Sequence, residues 1–193
     1  MVSKTKDKKT NFKSLAFEAA IIIFAVLTAL AVDSWKEEMD RQEAVDIALL
    51  SITNEIKKNL NGSISALKHN KAIVDELKLK IKLYGEGKSK DLSRGSFSLA
   101  ELRDIAWIAT NNNQVASWIK QETLFEIGRI YHEQELLDTL IKDFRKFHFL
   151  LDPEASDIKR IKYRLRHLSM MNRRAEELIE YYQYFLLHNE EKT

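Results

Sequence analysis

Proton transfer and metal ligation need His, Cys or paired carboxylates at fixed spacings, and the five histidines are the first place to look: His69, His132, His148, His167 and His188. Their neighbours do not supply the patterns. A zinc-peptidase helix needs His-Glu-x-x-His, which sets two imidazoles and a general base on one face. A di-iron bundle needs Glu-x-x-His. Neither string occurs. His132-Glu133-x-Glu135 brings three ligand types together, but adjacent residues on a helix point about 100° apart and do not converge. There is no Cys, which removes thiol nucleophiles, disulfides and thiolate metal sites. Gly-x-Ser-x-Gly, the P-loop and Gly-x-Gly-x-x-Gly are also missing,. The expectation is a protein without catalytic residues, metal or cofactor.

Two other groups of residues suit binding. Trp107 and Trp118 bracket the amides of residues 111–113, with Asn112 at the centre. Indoles beside amides can line a small-ligand pocket; the competing reading is two core tryptophans with satisfied N–H groups. Residues 159–174 hold Lys159, Arg160, Lys162, Arg164, Arg166, Arg173 and Arg174 with no acid among them. Arg160, Arg164, Arg173 and Arg174 form a candidate docking face for an acidic partner or lipid headgroups. The alternative is a solvated face paired with Glu133, Glu135 and Asp138. Net charge is only +2, so the whole-chain balance gives no footprint for nucleic acid.

These groups depend on the elements that carry them, and the first element is apolar. Between residues 15 and 32 only Glu18 is charged and only Thr28 is otherwise polar. Eighteen helical residues rise about 27 Å, close to the ~30 Å hydrocarbon core of a bilayer. Trp35 follows, where an amphipathic ring anchors at the interface. A signal peptide would be shorter and end in a turn; here the run leads into helix-forming WKEEMDRQEA. We therefore read residues 15–35 as an uncleaved membrane helix. Lys4, Lys6, Lys8, Lys9 and Lys13 precede it, against Lys36 and Arg41 just after it. That bias puts residues 1–14 in the cytoplasm as a lysine-rich tail. Residues 36–193 then lie outside, in the periplasm of a Gram-negative cell, away from nucleic acid.

Glu18, Ala25, Ala29-Leu30 and Val32-Asp33-x-Trp35-x-Glu37 together resemble a family of uncharacterised bacterial single-pass membrane proteins. Its membrane helix reads Glu, a Gly seven residues on, Ala-Leu, then an apolar residue, Asn, any residue, Trp, any residue, Glu. This chain has Ala25 for the Gly and Asp33 for the Asn. A fainter similarity covers LRDIAWIATNNNQ and the helix up to about Gln134. The family has no assigned activity, so the resemblance implies topology and a helical outer domain. On the wheel, Ala25 and Ala29 fall within about 20° of Glu18. Small residues four apart admit a second helix, and a carboxyl on the same stripe favours a protein partner or water over lipid. Glu18 could instead snorkel to the cytoplasmic interface.

The rest of the chain reads as helices. Val45, Leu49, Ile52, Ile56 and Leu60 keep a spacing of three and four,, so the membrane helix continues outward as a stiff stalk. Asn61-Gly62 either turns the chain or sits inside one long helix; the scarcity of further loop residues favours the single helix. GEGKSKDLSRGS, residues 85–96, is a loop. Ser98-x-x-Glu101 is a capping box and predicts a helix from Leu99 to about residue 110. A long helix over residues 121–150 uses Leu124, Ile127, Tyr131, Leu137, Ile141 and Phe144. Asp152-Pro153 starts the last helix, whose seam is Ile158, Ile161, Leu165, Leu168, Asn172, Ala175, Ile179, Tyr182 and Leu186. That seam packs in a bundle or in a coiled coil with another copy, where Asn172 would fix register.

The expected architecture is all-α: one membrane helix continuing into a periplasmic bundle of long helices. The expected role is interaction, as an accessory or scaffolding subunit of a membrane complex or a self-assembling envelope protein. Its partners are the bilayer and, through the membrane helix, another membrane protein or another copy. The alternative is a periplasmic ligand-binding sensory module that signals through a partner.

Overall fold

The computed structural model describes residues 12–93, 96–150 and 156–190. Among them the chain is all-helical: α1 Phe12–Gly85, α2 Ile105–Asn111, a 3-10 turn Gln114–Trp118, α3 Gln121–Leu150 and α4 Asp157–Glu190. It divides into two compact units, Met1–Ala44 and Val45–Thr193. Ser156 precedes α4 without being helical, and its carbonyl accepts from the N–H groups of Lys159 and Arg160. Asp152 and Pro153, the expected start of that helix, lie outside the described residues.

In the first unit, the side chains over residues 15–32 are all exposed. This is one helix long and apolar enough to cross a membrane. Asn61-Gly62 does not interrupt α1, whose residues from 12 to 85 stay helical. A Cβ on Gly62 would sit 3.8 Å from the Ala100 side chain, an ordinary contact. Glycine there costs α1 about 1 kcal/mol relative to alanine without being demanded by space. The helix stops where Gly87 takes φ +69° and Lys88 N–H reaches back to the Leu83 carbonyl. Gly85-x-Gly87 is thus the terminator of α1.

The second unit packs the outer part of α1 against α3 and α4. Ile52, Ile56, Ile127, Leu178, Tyr182 and Phe185 are at most 2% exposed and form its centre. A smaller cluster joins Val74 and Leu77 of α1 to Ile161 and Leu168 of α4. The α4 seam expected from spacing is buried at Ile161, Leu168, Asn172, Ile179, Tyr182 and Leu186. The chain's own helices cover that face, so Asn172 is a residue of this bundle's interior.

The capping box at Ser98 does not start a helix. Residues 96–104 have no regular secondary structure, and α2 begins only at Ile105. The reason lies on α1. Asn70 accepts from Ser98 N–H at 2.8 Å and donates to Ser98 O at 2.8 Å. Asn59 does the same for Arg103, accepting at 3.0 Å and donating at 2.7 Å. A capping box needs Ser98 N–H for the Glu101 carboxylate, and Asn70 already holds it. Glu101 pairs with Arg103 instead. Geometry completes the argument. Eleven residues of α1 separate the two asparagines, a rise of about 16.5 Å. Five residues from Ser98 to Arg103 reach about 17 Å only when nearly fully extended, and as a helix they would span roughly 7.5 Å. A capping box is worth about 1 kcal/mol. The four partly buried hydrogen bonds contribute about 1 kcal/mol each, and breaking them would leave the buried Asn59 and Asn70 amides without those partners,. The strap wins.

One buried hydroxyl on the same stripe stays unmatched. Thr28, Ser51, Thr110 and Ser169 each donate to the carbonyl four residues earlier. Ser63, 1% exposed, has no hydrogen-bond partner at Oγ and borders a cavity of about 30 Å³ with Asn70, Met171 and Asn172. The two polar residues of this stripe should therefore respond oppositely to truncation. Asn59→Ala should lower the unfolding free energy of the full chain in detergent by roughly 2–4 kcal/mol. Ser63→Ala should change it by less than about 0.5 kcal/mol or stabilise it. Denaturant midpoints followed by tryptophan emission would check both, and equal losses would contradict the assignment.

Candidate functional site

The asparagine clamp is part of a larger polar network that crosses the second unit. Glu55, one turn before Asn59, accepts from Ala106 N–H at 3.0 Å with Oε2 and from the Tyr131 hydroxyl at 2.6 Å with Oε1. Asn59 Nδ2 also donates to Gln134 Oε1 at 3.1 Å. Gln134 Nε2 donates to the Arg103 carbonyl at 2.9 Å, and Tyr182 donates to Gln134 Oε1 at 2.7 Å. Five side chains from α1, α3 and α4 thus converge on the backbone at the strap's end. Burial pushes the Tyr131 hydroxyl far above the ordinary phenol range, and donation to the Glu55 carboxylate adds to it. Burial likewise raises Tyr182. Both remain O–H donors at neutral pH.

Beside this network a groove of about 560 Å³ opens between α2 and α3. Its wall is Trp107 stacked on Tyr131, with centroids 5.5 Å apart and planes within 5°. Gly128 faces the indole, which lies 4.0 Å from where a Cβ would stand. Asp104, His132, Glu135 and Asp138 give the groove its polar lining, and Asp138 is paired with Lys142 at 2.5 Å. Among the described residues no trio of His, Asp and Glu is placed to hold a metal ion. The arrangement offers an aromatic wall and carboxylates to a small ligand. Its Tyr131 hydroxyl is held by the Glu55 carboxylate, and burial keeps that phenol protonated.

Of the three residues expected to line a pocket together, only Trp107 lines this groove. Asn112 is the C-cap of α2, its backbone N–H donating to the Ile108 carbonyl, and it does not line this groove. Its neighbour Asn113 donates to the Ala109 carbonyl at 2.7 Å. Trp118 closes the 3-10 turn. The four arginines of the expected docking face are dispersed. Arg164 lies over the Phe97 ring at 5.6 Å, and both Arg160 and Arg164 are half-buried. Arg174 bridges to Glu133 at 3.3 Å and to Glu177 at 3.0 Å, and Arg173 pairs with Glu177 at 3.3 Å. On the apolar N-terminal segment, Ala25 and Ala29 line one shallow groove together with Phe24, Val32 and Lys36. Glu18 is exposed one turn into the apolar run, and Trp35 is exposed beyond it.

Sequence reasoning did not find Glu55, Asn59, Gln134 or the role of Tyr131 and Tyr182. A signal was present. Glu55, Asn59, Ser63 and Asn70 share a helical stripe beside Ile52, Ile56 and Val74, where solvent-facing polar residues would not fall.

The raised phenols set a pH dependence. In an unfolded chain tyrosine ionises near pH 10, below its value in the network. The stability these donors contribute is therefore complete below about pH 10 and is lost as pH rises beyond it. Tyr131→Phe should cost roughly 1–3 kcal/mol at pH 7 and make the alkaline decline shallower. Denaturant midpoints at pH 8 and pH 11 would check this; an unchanged variant at pH 8 would contradict the hydrogen bond to Glu55.

No family model matches the chain, and no curated protein or solved structure matches it.

Proposed function

We propose that this chain is a single-pass membrane protein whose membrane helix associates laterally with a partner helix and which presents a helical domain outside the cytoplasm. In this reading it is an accessory or scaffolding subunit of a membrane complex, or a self-assembling envelope protein, and it carries out no reaction of its own. The observation that supports it is the first unit's surface. Over residues 15–32 every side chain is exposed, and a shallow channel runs along Ala25 and Ala29 between Phe24 and Val32. Small residues let another backbone approach, and Glu18 on the same stripe gains from a protein neighbour rather than lipid. The lysines before residue 14 support a cytoplasmic N-terminus,.

The groove beside Trp107 favours a second reading, a sensory module that binds a small ligand and signals through its partner. Its volume of about 560 Å³ is within the range of small-molecule sites. Lateral association remains the primary reading, because the apolar helix needs a bilayer in either case.

Single cysteines along residues 18–32 test it cleanly, since the chain has none of its own. Cross-links in membranes should peak at positions 18, 25 and 29 and fade at 23, 27 and 30. Glu18→Leu or Ala25→Leu should reduce them. A flat profile, unmoved by either substitution, would leave a plain anchor. A periplasm-dependent reporter fused after Thr193 should be active; activity only of a cytoplasmic reporter would invert the topology.

A further inference from the structure

A second apolar groove, of about 320 Å³, opens between α3 and α4. Ile130 and Phe185, both at most 2% exposed, form its floor, and Tyr181 and Tyr184 stand along one side. Tyr184, 52% exposed, stands open at its edge. Large side chains left open around a groove mark an interaction surface more often than scattered singles do.

Charge says what kind of partner fits. Glu126 and Glu180 border the groove, one from each helix, and neither carboxylate has a cation partner among the described residues. One cation also borders the groove: Arg129 donates to the Tyr181 hydroxyl at 2.8 Å and lies 4.6 Å above the centre of that ring, so it keeps its charge there without pairing with either glutamate. Further along the same seam the acids are matched, with Glu133 and Glu177 both held by Arg174. The groove therefore combines an apolar floor with a net negative charge, two carboxylates on opposite sides against one guanidinium.

We propose that this groove docks an amphipathic helix of a partner protein, with an apolar side chain seated over Ile130 and Phe185 and lysine or arginine on its flanks reaching Glu126 and Glu180. This is the helix-in-groove mode, in which anchors at spacings of three and four residues enter the cleft and flanking charges select the partner. The inference adds a surface outside the membrane helix.

The test uses the full chain in nanodiscs of zwitterionic lipid. The probe is a dye-labelled helical peptide with leucines at spacings of three and four flanked by lysines, and the comparison peptide has glutamate for every lysine. Fluorescence anisotropy, with empty nanodiscs subtracted, should show binding of the lysine peptide and at least about tenfold weaker binding of the glutamate peptide. The double variant Glu126→Lys, Glu180→Lys should reverse that order, and the reversal shows that the variant is folded. Equal binding of both peptides, an unchanged order in the double variant, or binding fully accounted for by empty nanodiscs would overturn the proposal. So would photo-cross-linking from position 184 to a second copy of the chain in preference to the lysine peptide. A flat cysteine profile along residues 18–32 would remove the lateral-association reading and leave this result untouched.

Discussion

A stretch of backbone that packs against a helix without belonging to a helix or a sheet must still find partners for the N–H and C=O groups it turns away from water. Residues 96–104 are that stretch here, and the side-chain amides of Asn59 and Asn70 are its partners. An amide side chain carries one acceptor and two donors, which lets it imitate one rung of a sheet on the side of a helix. Two such rungs three turns apart fix both the direction and the extension of the strap. They also fix where Leu99 and Leu102 meet the core. Gln134 and Tyr182 then close the same network from α3 and α4, so the positions of three helices are referred to one carbonyl, that of Arg103.

This dependence explains which parts of the fold were legible. Apolar spacing was sufficient for α1, α3 and α4, because Ile52, Ile127, Leu168 and Tyr182 are buried where their period places them. It left Asn61-Gly62 open; the scarcity of loop residues there favoured the single helix that α1 forms, in which one glycine costs about 1 kcal/mol. It failed at Ser98, because the capping box is a local signal and the competing amide, that of Asn70, sits 28 residues earlier in the chain. Local grammar cannot weigh a partner that the fold brings from elsewhere. It missed the network for the same reason. Asn59 and Gln134 look like surface residues until they are seen to meet across 75 positions.

The candidate sites divide along the same line. Trp107 was singled out from its type, and it does wall a groove, but its companion is Tyr131 from α3 rather than Trp118. The nearby asparagines end a helix. The arginines of α4 looked like one charged face in sequence; folding turned Arg164 onto Phe97 and Arg174 onto Glu133. At the groove between α3 and α4 it is two carboxylates, Glu126 and Glu180, that border the apolar floor. In the first unit there is less for folding to hide. A helix with no neighbour shows all of its side chains, and the stripe of Ala25 and Ala29 is as visible in the sequence as in the structure.

The central claim is that side-chain amides of α1 hold an extended strap as firmly as the helices hold themselves. Native-state hydrogen exchange of the full chain in detergent measures this directly, amide by amide. The N–H groups of Ser98, Arg103 and Ala106 donate to Asn70, Asn59 and Glu55. They should exchange only with the same opening free energy as core amides of α1 such as Ile52 and Ile56, although Ser98 and Arg103 lie outside any helix and Ala106 is in the first turn of the short α2,. Asn59→Ala should release Arg103 selectively. If these three amides instead exchange at the rate of the exposed loop before them while the α1 core stays protected, the strap is not clamped and the account is wrong.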